Sequence, residues 1–288
     1  MFFSTVDSLC FFLSHQEGIS NQLKLTLLDV YLEYQPTTVS AFIRQAHLPC
    51  AMKQKLVRAI EQFDGADEEF KLLQKGVRWI SLFHPLYPTA LRNSYDPPVG
   101  LFFKGKEAYL LGKKLTIVGT RHPSSYGIKV VEQCIPAIVC RDWVSVSGLA
   151  TGIELTVQTE VIRQNGKAIA VLGCGLDVCY PKEHLSVQRN MLEEQLVLSE
   201  YPLGSPPRKE HFPMRNRILA SLSFGTMVVE AKERSSCLHI AAFALEEGRE
   251  IFAVPGSVFS RTSVGTNQLI KQGAKLIQTT EDVFAELT

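Results

Sequence analysis

From Leu115 onward, seven short apolar runs alternate with helix-like stretches, and no other feature of the chain restricts its fold as much. The runs fall near 115–118, 144–147, 168–172, 196–199, 226–230, 250–254 and 275–278. Helical spacing follows over 128–139, 154–164, 185–194, 217–222, 238–247 and 266–271. Runs that are apolar at nearly every position are buried on both faces, and strands separated by helices pair in parallel. The expected architecture is α/β, a doubly wound, mostly parallel sheet. Ligands of such sheets bind outside the carboxyl ends of the strands, where the loops converge.

Four of those loops carry candidate chemistry. The first, Gly119-Thr120-Arg121, follows the run Leu115 to Val118 and precedes Pro123-Ser124-Ser125-Tyr126-Gly127. A glycine turn at a helix start leaves N–H groups free for an anion, and a guanidinium fork matches phosphate. A tight turn with a surface arginine fits the same residues. No Walker loop and no full Gly-x-Gly-x-x-Gly is present. The second loop, Ser147-Gly148-Leu149-Ala150-Thr151-Gly152-Ile153-Glu154, is made of small residues that admit either a ligand or a closely packed helix. The third runs from Gly173-Cys174-Gly175 to Tyr180-Pro181-Lys182, where an aromatic beside a cation can stack a base and hold its phosphate. A buried tyrosine with a solvated lysine is the plainer alternative. The fourth places Arg215, Asn216 and Arg217 at the start of a short helix, with Arg208 and Lys209 upstream. Cations at the positive end of a helix dipole call for an anion, or for Glu200 and Glu230 as internal partners.

The first 75 residues read differently. Apolar residues recur at spacings of three and four, as in Leu23, Leu27, Leu28, Val30 and Tyr31, so a small helical domain is expected over 1–75. Its last helix starts in the acidic turn Asp64 to Glu69. Residues 76–288 form the sheet domain, with 76–114 as a proline-broken lead-in of strands or edge segments packed on the main sheet. The helical part carries seven Lys/Arg against nine Asp/Glu, the remainder 23 against 20. A net charge of +1 excludes a generally basic coat, so any nucleic acid must be held by a local patch.

Seven cysteines without a Cys-x-x-Cys pair argue against a disulfide framework or a zinc knuckle and point to a reducing, cytoplasmic compartment. The apolar stretch from Phe2 to Leu13 contains Asp7 and no preceding Lys or Arg, which makes it an amphipathic first helix rather than a signal peptide. No stretch approaches a membrane span, so no membrane partner is expected. Ser147, Cys174, His184, His211, His239 and Glu230 match neither a nucleophile elbow nor a zinc helix, and no metal or cofactor is expected.

Five motifs in this order resemble the DNA-processing protein A family, also called DprA or Smf. They are Val118-Gly119-Thr120-Arg121 with Tyr126-Gly127, Ser147 to Ile153, Gly173-Cys174-Gly175 with Tyr180-Pro181-Lys182, Ser199-Glu200-Tyr201-Pro202 with Phe212 to Arg217, and Val254-Pro255-Gly256. The resemblance runs from about Tyr87 to the C-terminus and implies an extended Rossmann-like sheet. It also implies that the chain protects single-stranded DNA and hands it to the RecA recombinase during natural transformation. By the same resemblance Arg121 and Lys182 belong to the DNA pocket, completed by Gly119, Thr120, Ser147, Gly148, Gly173, Gly175, Tyr180, Arg215, Asn216 and Arg217. Ile270 and Leu276 fall on a self-association surface, and residues 1–75 look like a sterile-alpha-motif-like domain. The sequence stops before the winged-helix-like domain of longer members. It departs from the family at Glu154, where Asp is usual, at His184, where Asn is common, and at Ser235 to Ile240.

Two functional classes follow. The first is a non-enzymatic binder that tracks the phosphodiester backbone and reads few base edges. The second is a related Rossmann-like phosphoribohydrolase of nucleoside monophosphates, with the signature Pro-Gly-Gly-x-Gly-Thr-x-x-Glu. Here Pro255-Gly256-Ser257 is separated from Gly265-Thr266, and Gln268 and Leu269 stand where the glutamate is needed. The binder is therefore the expectation. Independently, a helix as short as 266–271 cannot bury both Leu269 and Ile270 on one stripe, which predicts an exposed apolar patch with Leu276 and a homodimer across it.

Overall fold

The computed structural model describes residues 3–287. Met1, Phe2 and Thr288, which bound the expected 1–75 and 76–288 segments and open the apolar 2–13 run, lie outside the described residues. Five helices come first: α1 (Val6–Ser14), α2 (Asn21–Tyr34), α3 (Val39–Gln45), α4 (Cys50–Gln62) and α5 (Gly65–Lys75). Capping side chains set most of their starts. Thr5, Ser20 and Thr38 accept the N–H groups of Ser8, Leu23 and Ala41, and Asp64 accepts those of Ala66 and Asp67. The acidic turn thus opens the last helix, and Gly76, at φ +60°, closes it in the left-handed conformation.

Helix α1 corrects the amphipathic expectation, since every residue from Leu9 to Ser14 is buried. Phe12 and Leu13 join Leu27, Leu28, Phe42, Leu56 and Ile60 in a helical core, while Phe11 faces the sheet with its ring 5.0 Å from that of Trp79. A helix packed on both sides is apolar all round.

The rest of the chain builds one sheet, in the order β1 (Arg78–Ser81), β2 (Gly100–Gly105), β6 (Leu196–Ser199), β5 (Lys167–Leu172), β4 (Val144–Ser147), β3 (Lys114–Val118), β7 (Gly225–Val228), β8 (Glu250–Ala253) and β9 (Lys275–Leu276). Strands β3 to β9 pair in parallel, while β2 adds antiparallel to β6 and β1 antiparallel to β2. The lead-in therefore extends the sheet in its own plane rather than packing upon it. Connecting helices are α6 (Thr89–Arg92), α7 (Ser125–Cys140), α8 (Ile153–Arg163), α9 (Leu185–Glu194), α10 (His211–Leu222), α11 (Cys237–Glu246), α12 (Val264–Lys271) and α13 (Thr280–Leu287).

Successive strand residues point to opposite faces, and the two cores follow that alternation. Ala168, Ala170 and Leu172 of β5 join α7, α8 and α13 on one side. Ile169 and Val171 join α10 and α11 on the other. The sheet is thus wound on both faces. The chain steps from β3 outward to β6 and then jumps back beside β3 to start β7, so the direction reverses at the carboxyl ends of β3 and β7. That reversal places the loops after both strands side by side.

Candidate nucleic-acid interface

A small cavity of about 120 Å³ opens beyond the ends of β3, β4 and β5. Arg121, Leu149 to Thr151, Leu172 to Cys174, Tyr180, Pro181, Phe212 and Arg215 form its walls. Pockets that enclose whole small ligands usually measure about 300–1,000 Å³. This one admits a single group of something that continues past it.

Two cations bracket the cavity in different states. Arg121 is exposed and makes no hydrogen bond or ion pair among the described residues. Its loop is rigid, because Thr120 N–H donates to the Glu230 carbonyl at 2.7 Å and the Thr120 carbonyl accepts from Ile153 N–H at 3.1 Å. Arg215 is buried, with Nη1 3.2 Å from Glu154 Oε2 and 3.5 Å from the Val171 carbonyl, while Nε has no partner. A buried guanidinium that is only partly satisfied in a cavity wall is suited to an anion.

The aromatic wall comes from two elements. Tyr180 is 52% exposed, and its ring lies 5.7 Å from that of Phe212, tilted by 50°. The Tyr180–Pro181 peptide is cis. Lys182 follows, exposed and unpaired among the described residues, on a 3₁₀ turn outside the cavity. That turn is fixed by His184, whose buried ring bonds the Leu149 carbonyl through Nδ1 at 2.7 Å. The histidine that departs from the family pattern therefore ties the lysine's segment to the loop after β4.

The remaining candidates take structural positions. Ser147 donates to the Ile117 carbonyl at 2.7 Å, inside the sheet. A Cβ on Gly148 would overlap the Arg215 guanidinium and the Glu154 carboxylate. One on Gly119 would press on Ile153, and one on Gly175 on the Pro202 carbonyl. Gly173 differs, since a Cβ there would meet nothing nearer than 3.5 Å, and the residue faces the cavity. The Asn216 side chain is buried and makes no hydrogen bond among the described residues.

Arg217 is absent from the cavity wall. Its Nη2 donates to both Glu200 oxygens at 2.5 and 2.6 Å, its Nη1 to the Asp96 carbonyl, and its Nε lies 3.1 Å from Asp96 Oδ2. Asn21 of α2 donates to Asp96 and to the Pro97 carbonyl, joining the helical segment to this cluster. Neither arginine stands at a helix start, because α10 begins at His211 and both lie beyond its first turn. The expected conflict with the helix dipole does not arise.

Glu230 corrects the other half of the internal-pairing idea. Its carboxylate, 1% exposed, accepts from Ser124 N–H at 2.8 Å and from the hydroxyls of Ser124 and Thr262 at 2.7 Å. This clasp fills the crevice where the sheet reverses direction. The partner that Arg215 does use, Glu154, lies 61 positions away, and the sequence carries no local signal for that pair.

Burial pushes the Cys174 thiol in the cavity up to about 12, which keeps it protonated near neutrality. We expect a disulfide-exchange reagent at pH 8 to label Cys50 and Cys140, both exposed, while Cys174 and Cys10 react only after unfolding. Mass mapping of the labelled sites checks this, and prompt native-state labelling of Cys174 would contradict it.

Residues 78–288 match the family described as DNA recombination-mediator protein A. The DNA processing protein DprA of Bacillus subtilis (strain 168) is 45% identical over 215 residues, covering 74% of this chain and 72% of that protein. The crystal structure of DNA processing protein A from Streptococcus pneumoniae aligns with a TM-score of 0.87 at 36% identity, over 99% of this chain and 98% of that one. DNA processing protein A from Helicobacter pylori, described for its single-stranded DNA binding mode, aligns with a TM-score of 0.66 at 27% identity, over 73% of this chain and 95% of that one. A nine-stranded sheet with its cavity at the strand ends, together with close relatives over most of its length, establishes that the chain belongs to the DNA recombination-mediator protein A family.

Proposed function

We propose that this chain binds and protects single-stranded DNA and helps to load RecA recombinase during DNA uptake, in the cytoplasm and without catalysing a reaction. One observation carries the DNA reading. Unpaired Arg121 and half-satisfied Arg215 flank a cavity too small to enclose a nucleotide and walled by Tyr180 and Phe212. A strand crossing that cavity would leave a phosphate against Arg121 and a base edge against the aromatic wall, with Lys182 meeting the next phosphate. Gly173 lets the backbone approach, Gly119, Thr120, Ser147, Gly148, Gly175 and Arg217 hold the shape, and Asn216 lies buried between the two arginines of α10. No described helix is long and apolar enough to cross a membrane, and the relatives from Bacillus subtilis and Helicobacter pylori are DNA processing proteins.

A mobility-shift titration with single- and double-stranded oligonucleotides at two salt concentrations tests this reading. Single strands should bind more tightly and weaken steeply with salt. Equal affinity for both forms, or release of free base from nucleoside monophosphates above the blank, would overturn it.

We propose in addition a homodimer across Ile270 and Leu276. Of Leu269, Ile270, Leu276 and Ile277, only Ile277 is buried. Leu269 and Ile270 are half-buried, and Leu276 is 47% exposed on the two-residue edge strand β9. A charge stranded in a buried interface costs several kcal/mol, enough to dissociate a micromolar dimer. Ile270→Glu combined with Leu276→Glu is expected to sediment as a folded monomer, and a wild-type chain already monomeric at tens of micromolar would remove the idea.

A further inference from the structure

We infer that the loop after β8 carries a second contact for single-stranded DNA, in which Phe259 stacks on a base and Arg261 holds the adjoining phosphate. The inference rests on the single-strand reading above and extends its path. Phe259 is 95% exposed and its neighbour Val258 80%. An aromatic left so fully in water usually sits on a loose segment, yet this loop is braced throughout. Asn267 bonds both the N–H and the carbonyl of Gly256, and Tyr126 donates to the Pro255 carbonyl at 2.8 Å. The far end is fixed by Ala231 N–H donating to the Thr262 carbonyl and by the Thr262 hydroxyl on Glu230, both at 2.7 Å. The fold thus presents the ring to solvent from a rigid support.

The same Glu230 carboxylate accepts from Ser124, so it joins this loop to the one bearing Arg121. Arg121 lies three positions from Ser124 and Phe259 three from Thr262, a reach of at most about 11 Å of chain on either side. Both tips therefore stand on the carboxyl edge of the sheet, a few nucleotides apart. The surrounding charge is positive and unspent. Arg261, with Lys232 and Arg234 of the loop after β7, is exposed and free of partners among the described residues, and Glu233 is the one exposed carboxylate among them. A stable protein interface covers about 800 Å² on each partner, far more than two side chains present, and it would leave these cations unmatched. A base and its phosphate fit both the ring and the charge.

The test measures wild type, Phe259→Ala, Phe259→Trp, Arg261→Ala and Arg121→Ala against deoxythymidine oligomers of increasing length. Phe259→Ala and Arg261→Ala should bind the shortest oligomers normally and weaken binding of longer ones, by about fivefold or more for the ring. Phe259→Trp should restore the affinity, and 5-iodouracil placed beyond the cavity should photocross-link to Phe259. Loss at Arg121 with wild-type binding by Phe259→Ala at every length would overturn the second contact and leave the cavity standing. No loss at either position would overturn both. Phe259→Ala that changes only the oligomeric state would assign the tip to a second copy and overturn the DNA contact.

Discussion

Arg121→Ala and Lys182→Ala are each expected to weaken binding to single-stranded DNA by about tenfold or more while leaving the fold intact. The affinity estimate follows from losing a charge-assisted hydrogen bond, worth about 1.5–3 kcal/mol. The intact fold follows from the structure, since both side chains are exposed and neither makes a bond to the rest of the protein among the described residues. Each lost phosphate contact also removes counterion release, so the slope of log K against log salt should flatten by about 0.7 per variant on single strands. Equilibrium titrations at four or five salt concentrations read both quantities. Unchanged affinity and slope in both variants would place the DNA elsewhere on the molecule.

Arg217→Met is expected to do the reverse, lowering stability sharply while sparing the cavity. The substitution leaves Glu200 buried and Asp96 half-buried without the guanidinium that pairs with both, and removing one partner from a buried ion pair typically costs about 3–5 kcal/mol. For a chain of this size that corresponds to a fall in melting temperature of roughly 6–20 °C. Lys24, also buried beside Glu200, cannot replace the lost guanidinium cheaply, because burial already pushes its ammonium below the ordinary value. Scanning calorimetry with DNA binding measured well below the transition separates the two possible roles. A variant that melts like wild type but fails to bind would return Arg217 to the DNA surface.

The contrast between these residues shows how far the chain can be read before it is folded. Arg121 and Lys182 sit in loops just beyond apolar runs, and a run followed by a glycine turn fixes their edge of the sheet from local pattern alone. Helix α10 was harder. The expected helix over 217–222 begins too late, because a proline within the first turn breaks no helical hydrogen bond, so the helix runs from His211 and carries both arginines past its dipole end. Which carboxylate meets which arginine is set by tertiary contacts across 61 and 17 positions, and no periodicity encodes them. Of the two carboxylates named in advance, Glu200 meets Arg217, while Glu230 binds hydroxyls and an amide instead. Glycine was equally ambiguous in sequence. At Gly119, Gly148 and Gly175 the missing side chain makes room for the protein itself, whereas at Gly173 a Cβ would meet only ordinary contacts.

Arg215 and Arg217 lie two positions apart on α10, about 200° around a helix, so one points into the cavity and the other toward the helical segment. A helix held by contacts on two of its faces cannot shift to suit one contact without moving the other. The part of a bound strand's free energy that is coupled through α10 to the setting of Arg217 would reappear, equal in size, as a preference of α2 for its contact with Asp96. Amide exchange in Asn21–Tyr34 would then report occupancy of a cavity that this helix does not line.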